Sequence, residues 1–358
     1  MLQRSWLCLI CLIGCSIYGR TAFAQRQEEY LPNIRLHTVF RDANNNSHGF
    51  PDTGVRTLSL IPADSLHRVR FWAATGATVS LYAGTVIALN EAWYKQFPRS
   101  SFHLFDDWGE WRNIDKMGHL YTSYFESLWA YKIARWTGMN DNASIWTGVA
   151  MGIVFQGTVE VLDGFSEEWG FSIADLGFDL LGSGGFMVQQ KIWNEQRVLI
   201  KVSSTPVSHP DFILTSTDGM AMMSLSERTD ALFGRSYAER FLKDYNAQTT
   251  WLSVNVHAFL KPERRFPSWL NIAVGYGAEN MYGGFRNQWE EDGHRYELSD
   301  TAYRRYSQFY LSPDIDFSRI PSRSPLLRTL LGMLNVFKVP GPVLEYNKVE
   351  GVSVKLRW

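Results

Sequence analysis

The chain has 358 residues, with 35 Lys+Arg against 36 Asp+Glu, a formal net charge of −1, and a composition that is 45% hydrophobic, 20% charged and 15% aromatic. So much apolar mass at so little net charge excludes an intrinsically disordered chain. The lack of a basic excess argues against a nucleic-acid partner, and a mean hydropathy of −0.19 argues against a polytopic transporter.

The three cysteines, Cys8, Cys11 and Cys15, all lie in the first 15 residues. There Arg4 precedes an apolar run from Trp6 to Gly14, the pattern of an export signal. Two endings fit. Leu12-Ile13-Gly14-Cys15 has the shape of a lipobox with Cys15 as the lipidated residue, and Ala22-Phe23-Ala24 has the A-x-A shape of an ordinary cleavage site. Plain cleavage leaves a chain without cysteine, hence without disulfide or thiolate chemistry.

Residues 25–67 read as a mixed segment. From 68 to about 200 the character changes to apolar stretches of helical length. Phe71 to Asn90 carries no charge and is long enough to span a membrane. Helices are predicted from about Ile114 to Thr137, from Ala143 to Leu162 and from Ser172 to Gln196. Residues 201–358 form a further region. Glu227 to Tyr245 reads as one amphipathic helix, Leu252 to Leu260 and Leu270 to Tyr276 alternate as strands, and Phe309 to Phe317 and Val352 to Trp358 alternate more weakly. Ser324 and Pro325 open one more helix with a leucine-rich face. The expected fold is α+β: an apolar bundle of about four helices followed by a C-terminal antiparallel β region with an amphipathic helix. The strand lengths suit an outer-membrane sheet, yet four to six strands fall short of the eight of a closed barrel.

The apolar helices carry polar stripes. Asp115, His119 and Glu126 share one face, with Lys116 beside them. Gln156, Glu160 and Asp163 form a second stripe, and Ser172, Asp175 and Asp179 a third, with Ser166 in the preceding loop. A buried carboxylate is costly unless paired, protonated or metal-bound, so the stripes are expected to face one another across a cleft. That cleft suits a polar ligand group. His119, Glu160 and Asp175 are the candidates for acid–base catalysis, and His119, Glu160 and Asp163 for a divalent metal. A plainer reading makes Asp115 a helix cap, Asp163 a helix end, and Ser172 with Asp175 a capping box.

The run Asp115-Lys116-Met117-Gly118-His119, then Tyr121 and Tyr124, Gln156 to Glu160, Asp163 to Ser166, Trp169 to Ser172, and Asp175 followed by Gly182 resembles the YfiM-like family of predicted periplasmic lipoproteins of unknown function. More distantly it resembles the VanZ-like membrane proteins. The resemblance covers roughly residues 110–200, and such families often carry Asn where this chain has Asp179. It implies a cell-envelope location, in the periplasm or outer membrane, or in the inner membrane through residues 71–90. The leading expectation is a non-enzymatic or not-yet-assigned envelope protein whose cleft binds the head group of a membrane lipid or envelope precursor. The alternatives are a metal-assisted or acid–base hydrolase of such a substrate and a structural outer-membrane protein.

Overall fold

The computed structural model describes residues 60–92, 94–96, 98–260 and 266–357. The expected export signal, Cys15 and the segment before residue 60 lie outside the described residues. The protein is α+β, as the periodicities predict. Four long helices come first: α1 (Arg68–Ala92), α2 (Ile114–Trp136), α3 (Asp141–Gly164) and α4 (Ile173–Trp193). Asn140 caps α3 by accepting the Ala143 amide at 2.9 Å, and Ser172 caps α4 by accepting the Asp175 amide at 3.0 Å.

α2 lies at the centre, and glycines let its neighbours approach. A Cβ on Gly182 of α4 would stand 2.1 Å from Ser123 Oγ and 2.3 Å from the Leu120 carbonyl; one on Gly148 of α3 would stand 2.5 Å from the Ser127 carbonyl. The aromatic core here is Tyr121, Tyr124, Phe125, Trp129, Tyr131 and Phe186.

The strands are β1 (Val198–Ser204), β2 (Ile213–Thr215), β3 (Met222–Ser224), β4 (Gln248–Val254), β5 (Leu270–Glu279), β6 (Gln288–Glu291), β7 (His294–Glu297), β8 (Tyr306–Ile315), β9 (Gly341–Asn347) and β10 (Gly351–Arg357). Six form one antiparallel sheet in the order β1-β4-β5-β8-β9-β10, while β2–β3 and β6–β7 are small separate pairs. β1 begins at Val198, so the expected boundary at residue 200 falls inside a strand.

Two expectations are corrected. The strand predicted to reach Leu260 ends at Val254, because Asn255 accepts the Ala258 amide at 2.9 Å and caps a 3₁₀ turn over Val256–Phe259. The single helix predicted over 227–245 is two, α5 (Leu225–Phe233) and α6 (Tyr237–Lys243), separated at Gly234 with φ 77°. Each begins with its own capping box, Ser224 with Glu227 and Ser236 with Glu239. The last helix, α7 (Pro325–Leu334), is capped by Ser324 as predicted.

The sheet is inverted relative to one that packs an apolar face on a core. Ile200, Leu252, Val274, Leu311, Leu344 and Val354 stand side by side across all six strands on the outward face. The next row is Thr250, Tyr276, Phe309, Tyr346 and Val352. At β1 this face packs into the α2 core through Ile200 and Val202. Further along it is bare: Leu252, Ile272, Val274, Phe309, Leu311, Leu344 and Val354 are exposed, Val354 at 75%. The opposite face buries polar groups. Lys201 pairs with Asp314 at 2.9 Å, Arg357 with Glu279 at 3.1 Å and Lys355 with Glu345 at 3.2 Å. Arg357 also bonds Tyr310 and reaches Thr249 at 3.5 Å, so the sheet curls until β10 meets β4 across its interior.

The helices show the same inversion. Trp72, Val79 and Ile87 of α1 and Leu181, Val188 and Ile192 of α4 are exposed, whereas Ser123, Ser127, Gln156 and Ser183 are buried. α1 and α3 are long and apolar enough to cross a membrane, and only 11% of the apolar window of α1 is buried.

Candidate functional site: a buried acid–histidine centre

The site is set by the turn that launches α2. Trp111, Arg112 and Asn113 all have left-handed φ, at 45°, 52° and 63°, conformations that are costly for non-glycine residues. The sheet holds them there: Trp111 donates its amide to the Gly284 carbonyl at 2.8 Å, and Tyr276 donates its hydroxyl to the Arg112 carbonyl at 2.6 Å. The N-cap is therefore Asn113 and not Asp115. Asp115 instead accepts the Tyr245 hydroxyl at 2.6 Å.

One turn of helix brings Lys116 and His119 inward. Lys116 Nζ lies 2.8 Å from Asp107 Oδ2 and 2.9 Å from Asp175 Oδ1, and Ser172 donates its hydroxyl to Asp107 at 2.6 Å. His119 Nδ1 bonds Asp179 Oδ1 at 3.0 Å. Its Nε2 faces Glu160 Oε1 at 3.5 Å and Asp175 Oδ2 at 4.0 Å. Glu160 accepts the Ser172 amide at 3.0 Å through its other oxygen, filling the place that an acid within α4 would take in a capping box. Thus α2, α3 and α4 each bring one stripe to a common centre, and the loop before α2 adds Asp107.

The centre is closed rather than a cleft. Lys116, His119, Glu160, Asp175 and Asp179 are all at most 3% exposed, so the facing stripes enclose one another. Asp115 is half-buried and marks the side nearest solvent. Burial opposes charge on Lys116, yet Asp115, Asp175 and Asp107 outweigh it and hold the ammonium pKa above its ordinary value. Burial likewise opposes charge on His119, and Asp175, Asp179 and Glu160 raise its pKa well above normal. Burial raises both Asp175 and Asp179, with His119 pulling each back. Burial also pushes Asp107 up, but hydrogen bonds from Asp175, Lys116 and Ser172 outweigh it and leave this acid below its usual range.

Of the residues the sequence singles out, Asp115, Lys116, His119, Glu160, Ser172, Asp175 and Asp179 meet here. The others do not. Glu126 and Gln156 form their own pair at 2.8 Å further along the bundle. Asp163 stands at the end of α3, next to its last residue Gly164, and accepts the Tyr94 hydroxyl at 2.6 Å. Ser166 is buried where the chain bridges to Arg99. The ligand atoms that cluster within 4.8 Å belong to Asp115, His119 and Asp175, in place of the predicted metal set with Asp163. Sequence reasoning missed Asp107, Tyr94 and Tyr245. Asp107 sits in a visibly acidic, Trp-rich stretch, but no periodicity there aims it at Lys116.

A second feature lies further along α2, towards its C-terminal end. An apolar cavity of about 270 Å³ opens between α1, α2 and α3, lined by Phe71, Val79, Tyr82, Ile133, Met151 and Val154 among others. Glu126 is the one predicted cleft residue that reaches it.

Residues 104–190 match DUF2279, a family described as a predicted periplasmic lipoprotein. The matched stretch runs from just before Asp107 to the last turn of α4 and contains the whole acid–histidine centre except Tyr245. No curated protein and no solved structure matches the chain.

Proposed function

We propose that this chain is an exported cell-envelope protein, seated against a membrane by its apolar exterior, that binds a lipid with an acyl chain in the cavity between α1, α2 and α3. The observation that carries this reading is that cavity: an opening lined mainly by apolar surface, with threonines and Glu126 among its walls, beside a helix whose outer face is itself apolar. The inverted sheet supports it, because apolar-out and polar-in alternation is the pattern of strands that face lipid. Along β5 the outward side chains run from half-buried Leu270 through exposed Ile272 and Val274 to half-buried Tyr276, about 20 Å at the usual rise per residue, close to the apolar band of an outer-membrane sheet. The export signal and the description of the matched family support the envelope location. We favour the outer membrane, and the YfiM-like resemblance over the more distant VanZ-like one. The lipid head group is not held at His119 in this reading, since that centre is closed.

Mass spectrometry of lipids extracted from the purified full chain tests the proposal. Wild type is expected to carry a bound lipid, and Ala130→Trp or Thr78→Phe, which fill the cavity, to lose it while keeping the wild-type melting profile. A lipid-free wild type, or equal lipid in both cavity-filling variants, would overturn it. A second reading, a metal-assisted or acid–base hydrolase, draws on the convergence of His119, Glu160 and Asp175. Their burial favours a bound ion over a bound substrate.

A further inference from the structure

The acid–histidine centre has a geometry that hydrogen bonding alone does not explain. His119 uses Nδ1 on Asp179 Oδ1 at 3.0 Å. In the neutral ring that bond places the proton on Nδ1 and the lone pair on Nε2. Nε2 points at Glu160 Oε1 and Asp175 Oδ2 from 3.5 Å and 4.0 Å, beyond hydrogen-bond length. Donor atoms around a tetrahedral ion with bonds of about 2.0–2.1 Å stand about 3.4 Å from one another. These separations suit donors arranged around an ion.

Each carboxylate is divided between two tasks. Asp175 gives Oδ1 to Lys116 at 2.9 Å and turns Oδ2 toward Nε2. Glu160 gives Oε2 to the Ser172 amide at 3.0 Å and turns Oε1 toward Nε2. Asp115 gives Oδ1 to Tyr245, and it offers a ligand atom within 4.8 Å of those of His119 and Asp175. One oxygen thus anchors each acid to the scaffold while the acid itself borders the centre. Asp179 on Nδ1 supplies the outer carboxylate that orients a metal-bound imidazole.

We propose that this centre is a site for one divalent first-row cation, Zn²⁺ or Mn²⁺, held by His119, Asp175 and Asp115, with Glu160 Oε1 at its border 3.5 Å from His119 Nε2. A mixed nitrogen and carboxylate donor set suits these ions better than Ca²⁺. Half-buried Asp115 marks the side by which the ion enters. The proposal does not rest on lipid binding.

The test is elemental analysis of the full chain purified without chelator, followed by calorimetric titration of the EDTA-stripped protein with ZnCl₂ and with MnCl₂. Wild type is expected to bind about one ion per chain and to melt at a lower temperature once stripped. His119→Ala and the near-isosteric Asp175→Asn are expected to abolish that site. Asp179→Asn, which still accepts from Nδ1, is expected to weaken it about 10–100-fold, and Asp163→Asn to leave it unchanged. Absence of binding by wild type, or equal binding by wild type and Asp175→Asn, would overturn the proposal. Either result leaves the lipid measurement above unaffected.

Discussion

The helical bundle and the curled sheet both bury polar groups and expose apolar ones, the bundle around an aromatic core as well, but they balance their buried charges differently. In the sheet the acids lie beside cations: buried Asp314 pairs with Lys201, buried Glu345 with Lys355, which also holds Glu350, and half-buried Glu279 with Arg357. In the bundle a cluster of acids converges on Lys116 and one histidine. A balanced interior is a scaffold, since its charges are already satisfied. An interior where several acids crowd one lysine and one histidine is where the bound cation is proposed.

If that contrast is correct, the largest effect should come from breaking a balanced pair. Lys201→Met strands Asp314 in the sheet and should cost about 3–5 kcal/mol, read by chemical denaturation in detergent. Asp179→Asn in the bundle removes one of several crowded acids, and the stability of the metal-free protein should change by no more than about 1 kcal/mol. Equal losses in the two variants would erase the distinction. Next in size is the exterior. Leu311→Lys places a charge in the bare apolar row and should cost about 2–4 kcal/mol with the protein in a bilayer. On a water-facing sheet the same change would be close to neutral.

Smaller effects probe the bundle itself. Gly182→Ala forces a methyl against Ser123 Oγ and the Leu120 carbonyl, parts α4 from α2, and should cost about 1–3 kcal/mol by thermal denaturation. The smallest concerns Lys132 of α2, whose pKa is pushed down to about 8 by burial, opposed in part by Asp316. Its folded pKa is below its unfolded value of 10.5. The unfolded chain therefore holds the extra proton between these values, and stability should rise with pH across that window. Lys132→Met should flatten that rise in melting temperatures recorded from pH 8 upward.

Much of this was legible in the sequence. The four long helices and the α7 cap follow from periodicity and from Ser324-Pro325. The convergence of Asp115, His119, Glu160 and Asp175 follows from stripes on otherwise apolar helices. What escaped depended on tertiary placement. Asp107 reaches Lys116 only because the left-handed turn at Trp111–Asn113 is pinned by Gly284 and Tyr276, far away in sequence. Asp163 keeps the right helical spacing yet is drawn away by Tyr94. Alternation located β4, β5 and β8, but alternation looks the same whichever face is apolar. The buried row of Lys201, Trp251, Tyr310 and Glu345 was needed to show that these strands turn their apolar side outward.

The most direct measurement is labelling of the full chain in a bilayer by lipids that carry a photoreactive group on the acyl chain, followed by peptide mapping. The account predicts adducts on the outward residues of β5, β8 and β10, among them Val274, Leu311 and Val354, and along α1, with none on the buried row of Lys201, Tyr310 and Glu345. Labelling absent from the sheet and from α1, with the same residues open to water-soluble reagents, would contradict it.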